Sequence, residues 1–287
     1  MNNRKVLISI IVPFQELRIL KENLLCSFQK ETTEIELILV HDTRSQLSEQ
    51  EVDFLIKEVH NAHYVYGEFK SPGLARNKGL EKASGDWIIF WDSDDFAYPT
   101  KVLDVLDSKR EGVVVANFKS VNRSNSVRRA EVDSQVEPKQ IVINPGLWRF
   151  IFPSRIAKSC RFRELKLGED IIFLIECGAF EIHHEFVQDI IYEYRITPIQ
   201  STKNMDIELH LQKFIQELAK VIVSRNSKSE YPYAIYWRQV LSLLRHSKGR
   251  KIFFIFNTSF YIFRILESSR RVLFMRSILL SLGRGVV

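Results

Sequence analysis

The chain holds 287 residues, 45% apolar and 26% charged, with a net charge of +6. That length admits one large domain, or one with a smaller appendage, and the composition excludes a disordered, collagen-like or linker-like chain. Cysteines at 26, 160 and 177 form neither a disulfide framework nor a CxxC metal pair, so reduced thiols in a cytosolic protein are expected.

Residues 1–5 are basic, but the apolar run 6–12 is short and ends at Pro13-Phe14-Gln15-Glu16. No small-residue cleavage site follows, so a strand buried on both faces is expected there, not a signal peptide. Residues 17–28 carry Leu20, Leu24 and Phe28 at helical spacing. A second buried strand, 36–40, ends at His41-Asp42. A helix over 50–59, a short strand over 63–66 and a helix over 74–83 follow, the last preceded by Ser71-Pro72-Gly73. Residues 87–91 read as another buried strand, ending at Asp92-Ser93-Asp94-Asp95. Then come a helix over 100–107 and a strand over 112–118.

Residues 119–139 are polar, without clear period, and read as a surface hairpin or loop. Asn144-Pro145-Gly146 is a turn, and 147–156 is aromatic and apolar. Gly168-Glu169-Asp170 opens an apolar helix, and 187–194 is a strand. The pattern of 205–223 gives an amphipathic helix with Ile207, Leu211, Phe214, Leu218 and Val221 inward. No stretch offers the ~18 clean apolar residues of a conventional membrane span.

This alternation predicts an α/β layer fold with a mostly parallel sheet flanked by helices. Ligands of such sheets sit beyond the carboxyl ends of the strands. Asp42 and the Asp92–Asp95 run would then share one edge.

Charge is unevenly placed. Residues 245–287 contain nine Lys and Arg against one acid, Glu267, whereas residues 1–244 are slightly acidic. The same tail carries Phe253, Phe254, Phe256, Phe260, Tyr261, Phe263 and Phe274. Basic residues interleaved with Phe and Leu suit a helix lying in an anionic membrane interface. The plain alternative is a helical pair packed on the main domain with Arg at its rim. Nucleic acid is not an expected partner, because phosphate binding wants less apolar bulk.

Asp92, Asp94 and Asp95 put three carboxylates into four residues. Crowded carboxylates raise one another's pKa unless a cation neutralises them. Oxygen-only ligands point to Mg²⁺ or Mn²⁺ rather than zinc; otherwise the run is an Asp-rich helix cap. His183 and His184 are adjacent, face opposite ways on a strand, and read as structural. Trp148 and Phe152, four apart, offer either an exposed aromatic platform or aromatic core.

The stretch from Ser71 to Asp95, together with Ile8-Ser-Ile-Ile-Val-Pro-Phe14, Glu36-Leu-Ile-Leu-Val-His-Asp42 and Gly168-Glu-Asp170, resembles the signature of family 2 glycosyltransferases. Leu147 to Arg155 and Arg161-Phe-Arg-Glu164 resemble the family's acceptor-side segment. The resemblance covers residues 6 to about 202. It implies a GT-A fold, a nucleotide-diphospho-sugar donor, and inversion at the anomeric carbon. It also implies roles. Pro13 and Phe14 line the nucleoside pocket, and Asp42 bonds the base, usually uracil. Arg76 lies near base and diphosphate. Asp92 approaches the ribose or sugar, and Asp94 binds the metal with Asp95 close by. Asp170 is the general base, with Glu169 beside it. Arg195, followed by Gln200-Ser201-Thr202, resembles a segment that closes over the diphosphate.

Two positions depart from the family pattern. His41-Asp42-Thr43-Arg44 stands where two Asp and then Gly-Ser are usual, and Gln15 where Asn often follows the aromatic. The expected organisation is a catalytic domain over 1–204, with a nucleotide-sugar half to about 118 and an acceptor half from about 119. A C-terminal helical region would span 205–287. The expected protein is cytoplasmic and peripheral on the inner face of the cell membrane. It would extend a glycan or polyprenyl-diphosphate-linked acceptor in bacterial surface-polysaccharide synthesis. The rivals are an inactive relative serving as a membrane-bound scaffold, and a sugar nucleotidyltransferase. The latter would want a Gly-rich, Lys-containing phosphate loop, and residues 12–16 offer none.

Overall fold

The computed structural model describes residues 7–28, 33–59, 61–106, 111–122, 130–132, 138–181, 184–196, 206–247 and 251–281. The chain forms two compact units. One comprises Met1–Val136, Leu147–Glu164 and His183–Pro198; the other comprises Glu137–Gly146, Leu165–Ile182 and Ile199–Val287.

The first unit begins with β1 (Ile8–Phe14), α1 (Leu17–Glu22), β2 (Ile35–Asp42), α2 (Glu49–Glu58), β3 (Ala62–Gly67), α3 (Pro72–Lys82) and β4 (Trp87–Phe90). It continues through β5 (Phe96–Ala97), α4 (Pro99–Leu106), β6 (Val113–Asn122) and β7 (Ala130–Val132). The second unit supplies the next helix, α5 (Pro138–Ile143). The chain then returns to the first unit with β8 (Phe150–Pro153) and α6 (Ser154–Ala157). After α7 (Glu169–Glu176) in the second unit, β9 (His184–Ile196) closes the first.

The sheet runs β3-β2-β1-β4-β8-β6-β9-β5, with β7 paired to β6. The expected α/β layers are present. β3, β2, β1 and β4 are mutually parallel, as are β6 and β9. β8 joins β4 and β6 by antiparallel pairs. All seven β1 residues are buried, as a continuous apolar run between two neighbours requires. In the parallel register Phe14 lies beside His41 and Asp42 beside Gly67. The carboxyl ends of β1, β2 and β3 thus meet at one edge.

Caps match the sequence cues. Ser48 and Glu51 form a capping box at α2. Ser71 accepts the Leu74 N–H, with Pro72 in the first turn of α3. The predicted helix over 17–28 is interrupted. α1 stops at Glu22, and a single 3₁₀ turn, Leu25–Ser27, follows. At the break, Asn23 Nδ2 donates to the Ile19 carbonyl at 2.7 Å, a local bond that competes with helix continuation. Of the predicted hairpin over 119–139, β6 and β7 pair antiparallel; residues 123–129 and 133–137 lie outside the described residues.

The second unit is helical. α5 and α7 join α8 (Ile207–Arg225), α9 (Tyr231–Ser247), α10 (Ile252–Ile265) and α11 (Ser268–Ser281). Leu211, Phe214, Leu218 and Val221 of α8 are buried, as their spacing predicted, whereas Ile207 at the start of the helix is only half-buried. Among the described residues no helix is long and apolar enough to cross a membrane.

Candidate active site

At the end of β1, Pro13 and Phe14 are buried. The Phe14 ring stacks on His41, with centroids 4.5 Å apart and planes 5° apart. His41 Nε2–H donates to the Gln15 carbonyl at 3.0 Å. Its Nδ1 lies 2.9 Å from the Tyr64 hydroxyl, which in turn accepts the Leu47 N–H at 3.2 Å. Burial lowers the His41 pKa, so the neutral ring accepts the Tyr64 proton at Nδ1. The two departures from the family pattern, Gln15 and His41, are therefore bonded to each other. Asp42 follows, and its Oδ1 accepts the Phe69 N–H at 2.7 Å, fixing the segment between β3 and α3.

The sign of the His41 effect is testable. The unfolded ring protonates near pH 6.5, whereas the folded ring resists protonation. Stability from this residue is therefore full above that pH and is lost as pH falls from 6.5 toward the folded pKa. The difference in thermal midpoint between wild type and His41→Phe should shift against wild type between pH 7.5 and 5.5. A pH-independent difference would show that burial of the neutral ring does not matter.

The acidic turn follows β4. Arg76, on α3, is 6% exposed, so it is no surface helix residue. Its Nη2 donates to Asp92 Oδ1 at 2.6 Å, and its guanidinium lies over the Phe162 ring. Asp95 is 2% exposed. Its Oδ2 accepts the Tyr192 O–H at 2.7 Å and its Oδ1 accepts the Arg195 N–H at 2.6 Å. The Tyr192 oxygen also accepts the Asp92 N–H at 3.2 Å. Burial, then the Asp94 and Asp92 charges, push the Asp95 pKa well up. Both Asp95 oxygens are thus engaged by β9.

Asp94 stands differently. It is exposed, yet the protein packed around the turn, and after it the Asp92 charge, raise its pKa. Solvent keeps that rise below the one at Asp95. Arg195 is held within the chain, with Nη1 on Asn23 Oδ1 at 2.7 Å and Nε on Glu193 Oε1 at 3.1 Å. Lys119 pairs with the other Glu193 oxygen at 2.8 Å. Gln200, Ser201 and Thr202 lie outside the described residues, as does His183. His184 begins β9, its ring 5.9 Å from Phe186.

Trp148 stacks on Tyr192 at 4.9 Å and on Tyr194 at 5.9 Å, and meets Phe118 edge-on at 4.3 Å. Phe152 is fully buried against Phe90. Phe152 is therefore aromatic core and offers no platform; Trp148 keeps partial exposure. Sequence reasoning missed Tyr192, which bridges Asp92 and Asp95. It also missed Arg149, fully buried with Nε on the Ala116 carbonyl at 3.1 Å. The cue to Tyr192 was its place in the predicted strand 187–194, three residues before Arg195.

Glu169 and Asp170 form the first turn of α7 in the second unit. Asp170 Oδ1 accepts the Ile171 N–H at 2.8 Å. Gly168 precedes them at φ +78°, and a Cβ there would meet the Phe214 ring at 2.5 Å. Both the left-handed backbone and the contact require glycine. Gly168→Ala should cost about 2–5 kcal/mol, summing a left-handed penalty and overpacking, measurable by urea unfolding. Wild-type stability in this variant would refute the packing argument.

Among the described residues no three His, Cys, Asp or Glu side chains gather as a metal-binding group. The donor set at the acidic turn instead suits a hard cation. Mg²⁺-like ions use one or two carboxylates and take remaining oxygens from water or substrate phosphates. Asp94, exposed and crowded by Asp92, could serve as such a carboxylate, and a cation would offset the Asp92 charge that adds to the effect of burial on its pKa.

Residues 9–180 match the model of glycosyl transferase family 2. An uncharacterized glycosyltransferase of Haemophilus influenzae is 38% identical over 197 residues, covering 66% of this chain and 76% of that one. The GalNAc(5)-diNAcBac-PP-undecaprenol beta-1,3-glucosyltransferase of Campylobacter jejuni is 22% identical over 72% of this chain and 76% of its own. Staphylococcus aureus TarS 1-349, solved in complex with UDP-GlcNAc, superposes with a TM-score of 0.66 at 18% identity. That superposition covers 94% of this chain and 79% of TarS 1-349, and it identifies the fold as GT-A. With the family model spanning more than half its length, the chain belongs to glycosyl transferase family 2.

Proposed function

We infer that the protein transfers a sugar, with inversion, from a UDP-sugar to a hydroxyl of a glycan or polyprenyl-diphosphate-linked acceptor. The reading places it in bacterial surface-polysaccharide synthesis, at the inner face of the cell membrane. The observation that carries it is the turn Asp92–Asp95 at the end of β4. Its carboxylates are sorted by environment: Asp92 on Arg76, Asp95 on Tyr192 and the Arg195 backbone, and Asp94 exposed. The UDP-sugar and lipid-linked assignments draw support from the ligand of TarS and the name of the Campylobacter jejuni relative.

On this reading each residue has a task. Pro13 and Phe14 wall the nucleoside pocket and Asp42 bonds the base. Arg76 orients Asp92 toward the ribose or sugar and adds positive charge near the diphosphate. Asp95 and Tyr192 hold the turn. Arg195 stands beside the diphosphate, and Trp148 offers its exposed part to the acceptor. Asp170, with Glu169 beside it, takes the acceptor hydroxyl proton. The acceptor oxygen then bonds to the anomeric carbon from the face opposite the leaving diphosphate, whose oxygen keeps the bonding pair. A Mn²⁺ or Mg²⁺ ion held by Asp94 would supply Lewis-acid stabilisation of that leaving charge.

Calorimetry with UDP, with and without Mn²⁺, tests the donor half. Metal-linked affinity supports the reading, and its absence favours the scaffold. A screen of sugar nucleotides for hydrolysis, with NMR of the transfer product, then fixes sugar and anomer. A retained anomeric configuration would overturn the inverting mechanism.

A further inference from the structure

Among the described residues, the C-terminal helices expose a large apolar face. α10 packs inward through Ile262, with its capping residue Leu266 also buried, and through Ser259, bonded to Tyr236 at 3.0 Å. Its outward stripe is Phe253, Phe256, Phe260 and Phe263, with Phe253 76% and Phe256 63% exposed. The Phe256 and Phe260 rings stack on each other, 6.1 Å apart. α11 differs: it buries Phe274, Ser277 and Ser281, and its Phe274 carbonyl accepts the Trp237 indole N–H of α9 at 2.9 Å. Arg271 of α11 holds the corner. Its Nε donates to the Phe263 carbonyl at 2.8 Å, and its guanidinium lies over the Phe263 ring.

Around this stripe, residues 251–281 contain Lys251, Arg264, Arg270, Arg271 and Arg276 against one acid, Glu267. Arg264 and Arg276 are exposed. Two such positive faces repel each other, so a second copy is a poor occupant, whereas an anionic surface complements both charge and apolarity. At 1.5 Å per residue the 14-residue α10 is about 21 Å long, short of the ~30 Å hydrocarbon core. It suits a helix lying in the plane of the interface.

We propose that the outer face of α10 is the lipid-docking surface, its Phe stripe entering the acyl boundary of an anionic bilayer with Arg264 at headgroup level. This deepens the membrane placement proposed above by assigning it to one helix face, with α11 as its brace. Deleting the tail is a poor test, because α11 covers Trp237 and Tyr236 of α9. The informative variant is Phe256→Ser with Phe260→Ser in the full chain.

The assay is co-sedimentation with phosphatidylcholine vesicles, with and without phosphatidylglycerol, at low and high salt. Wild type should bind the anionic vesicles and weaken as salt rises. The double variant should bind at least about tenfold more weakly, with an unchanged thermal midpoint and unchanged UDP affinity. Equal sedimentation of both proteins would overturn the proposal. So would a wild-type dimer in light scattering that the double variant abolishes. Failure of UDP binding in both proteins would strike the transferase reading and leave the vesicle result standing.

Discussion

Asp170→Asn should lower transfer to the acceptor by about 10²–10⁴-fold, the usual contribution of a positioned general base. That is roughly 3–5 kcal/mol of barrier. The substitution is nearly isosteric. The amide oxygen of Asn can still accept the Ile171 N–H that Asp170 Oδ1 accepts at 2.8 Å, so α7 keeps its first turn. What is lost is proton affinity, since an amide cannot take the proton of an attacking hydroxyl. UDP affinity by calorimetry should stay at the wild-type value, because the residues proposed for the nucleotide side belong to the other compact unit. Product formation measured beside that affinity separates a lost base from a lost donor site. Full turnover in this variant would mean that another group removes the proton.

Asp94→Asn is expected to act on function and stability in opposite directions. Donor affinity should lose its metal dependence, a fall of about 100-fold or more in the presence of Mn²⁺. Without added metal the same variant should unfold at a higher temperature. The Asp94 charge is one of the causes that push the Asp95 pKa well up, and Asp92 in turn raises Asp94. Removing one member of a crowded acidic run relieves that repulsion. Groups kept for chemistry often cost stability in this way. Thermal melts in chelator and calorimetry with Mn²⁺ check the two halves independently. A lower midpoint together with intact metal dependence would remove Asp94 from the proposed role.

The sequence was most readable where one local rule decides the outcome. Continuous apolar runs announced β1, β2 and β4, and Ser71-Pro72 announced the start of α3. The motifs in those segments placed Asp42 and Asp92 to Asp95 at strand ends, where the structure has them. Reading failed where partners are remote. Nothing near Tyr192 reveals that its hydroxyl serves Asp95 and the Asp92 backbone, about a hundred residues earlier. Nothing near Asn23 reveals that it stops α1 and also receives Arg195. Glu36 opens the predicted strand 36–40, and nothing near it reveals its partner. It is buried and accepts from Ser84 N–H and Oγ at 2.8 and 2.9 Å. The antiparallel insertion of β8 between β4 and β6 was equally hidden, because pairing of distant strands leaves no local period.

The bonds from β9 to Asp95 bear on how far the donor-side fold can be shortened. A polypeptide ending after residue 118 would retain β1 to β4 but lack β9, which pairs with β5 and supplies Tyr192 and the Arg195 amide. Asp95 would then lose both partners and the strand that covers it, and the loop it belongs to would no longer be held. On the proposed reading, a shortened donor-side piece should therefore extend to Ile196, and attempts to transplant the acidic loop into another scaffold must carry this distant strand with it.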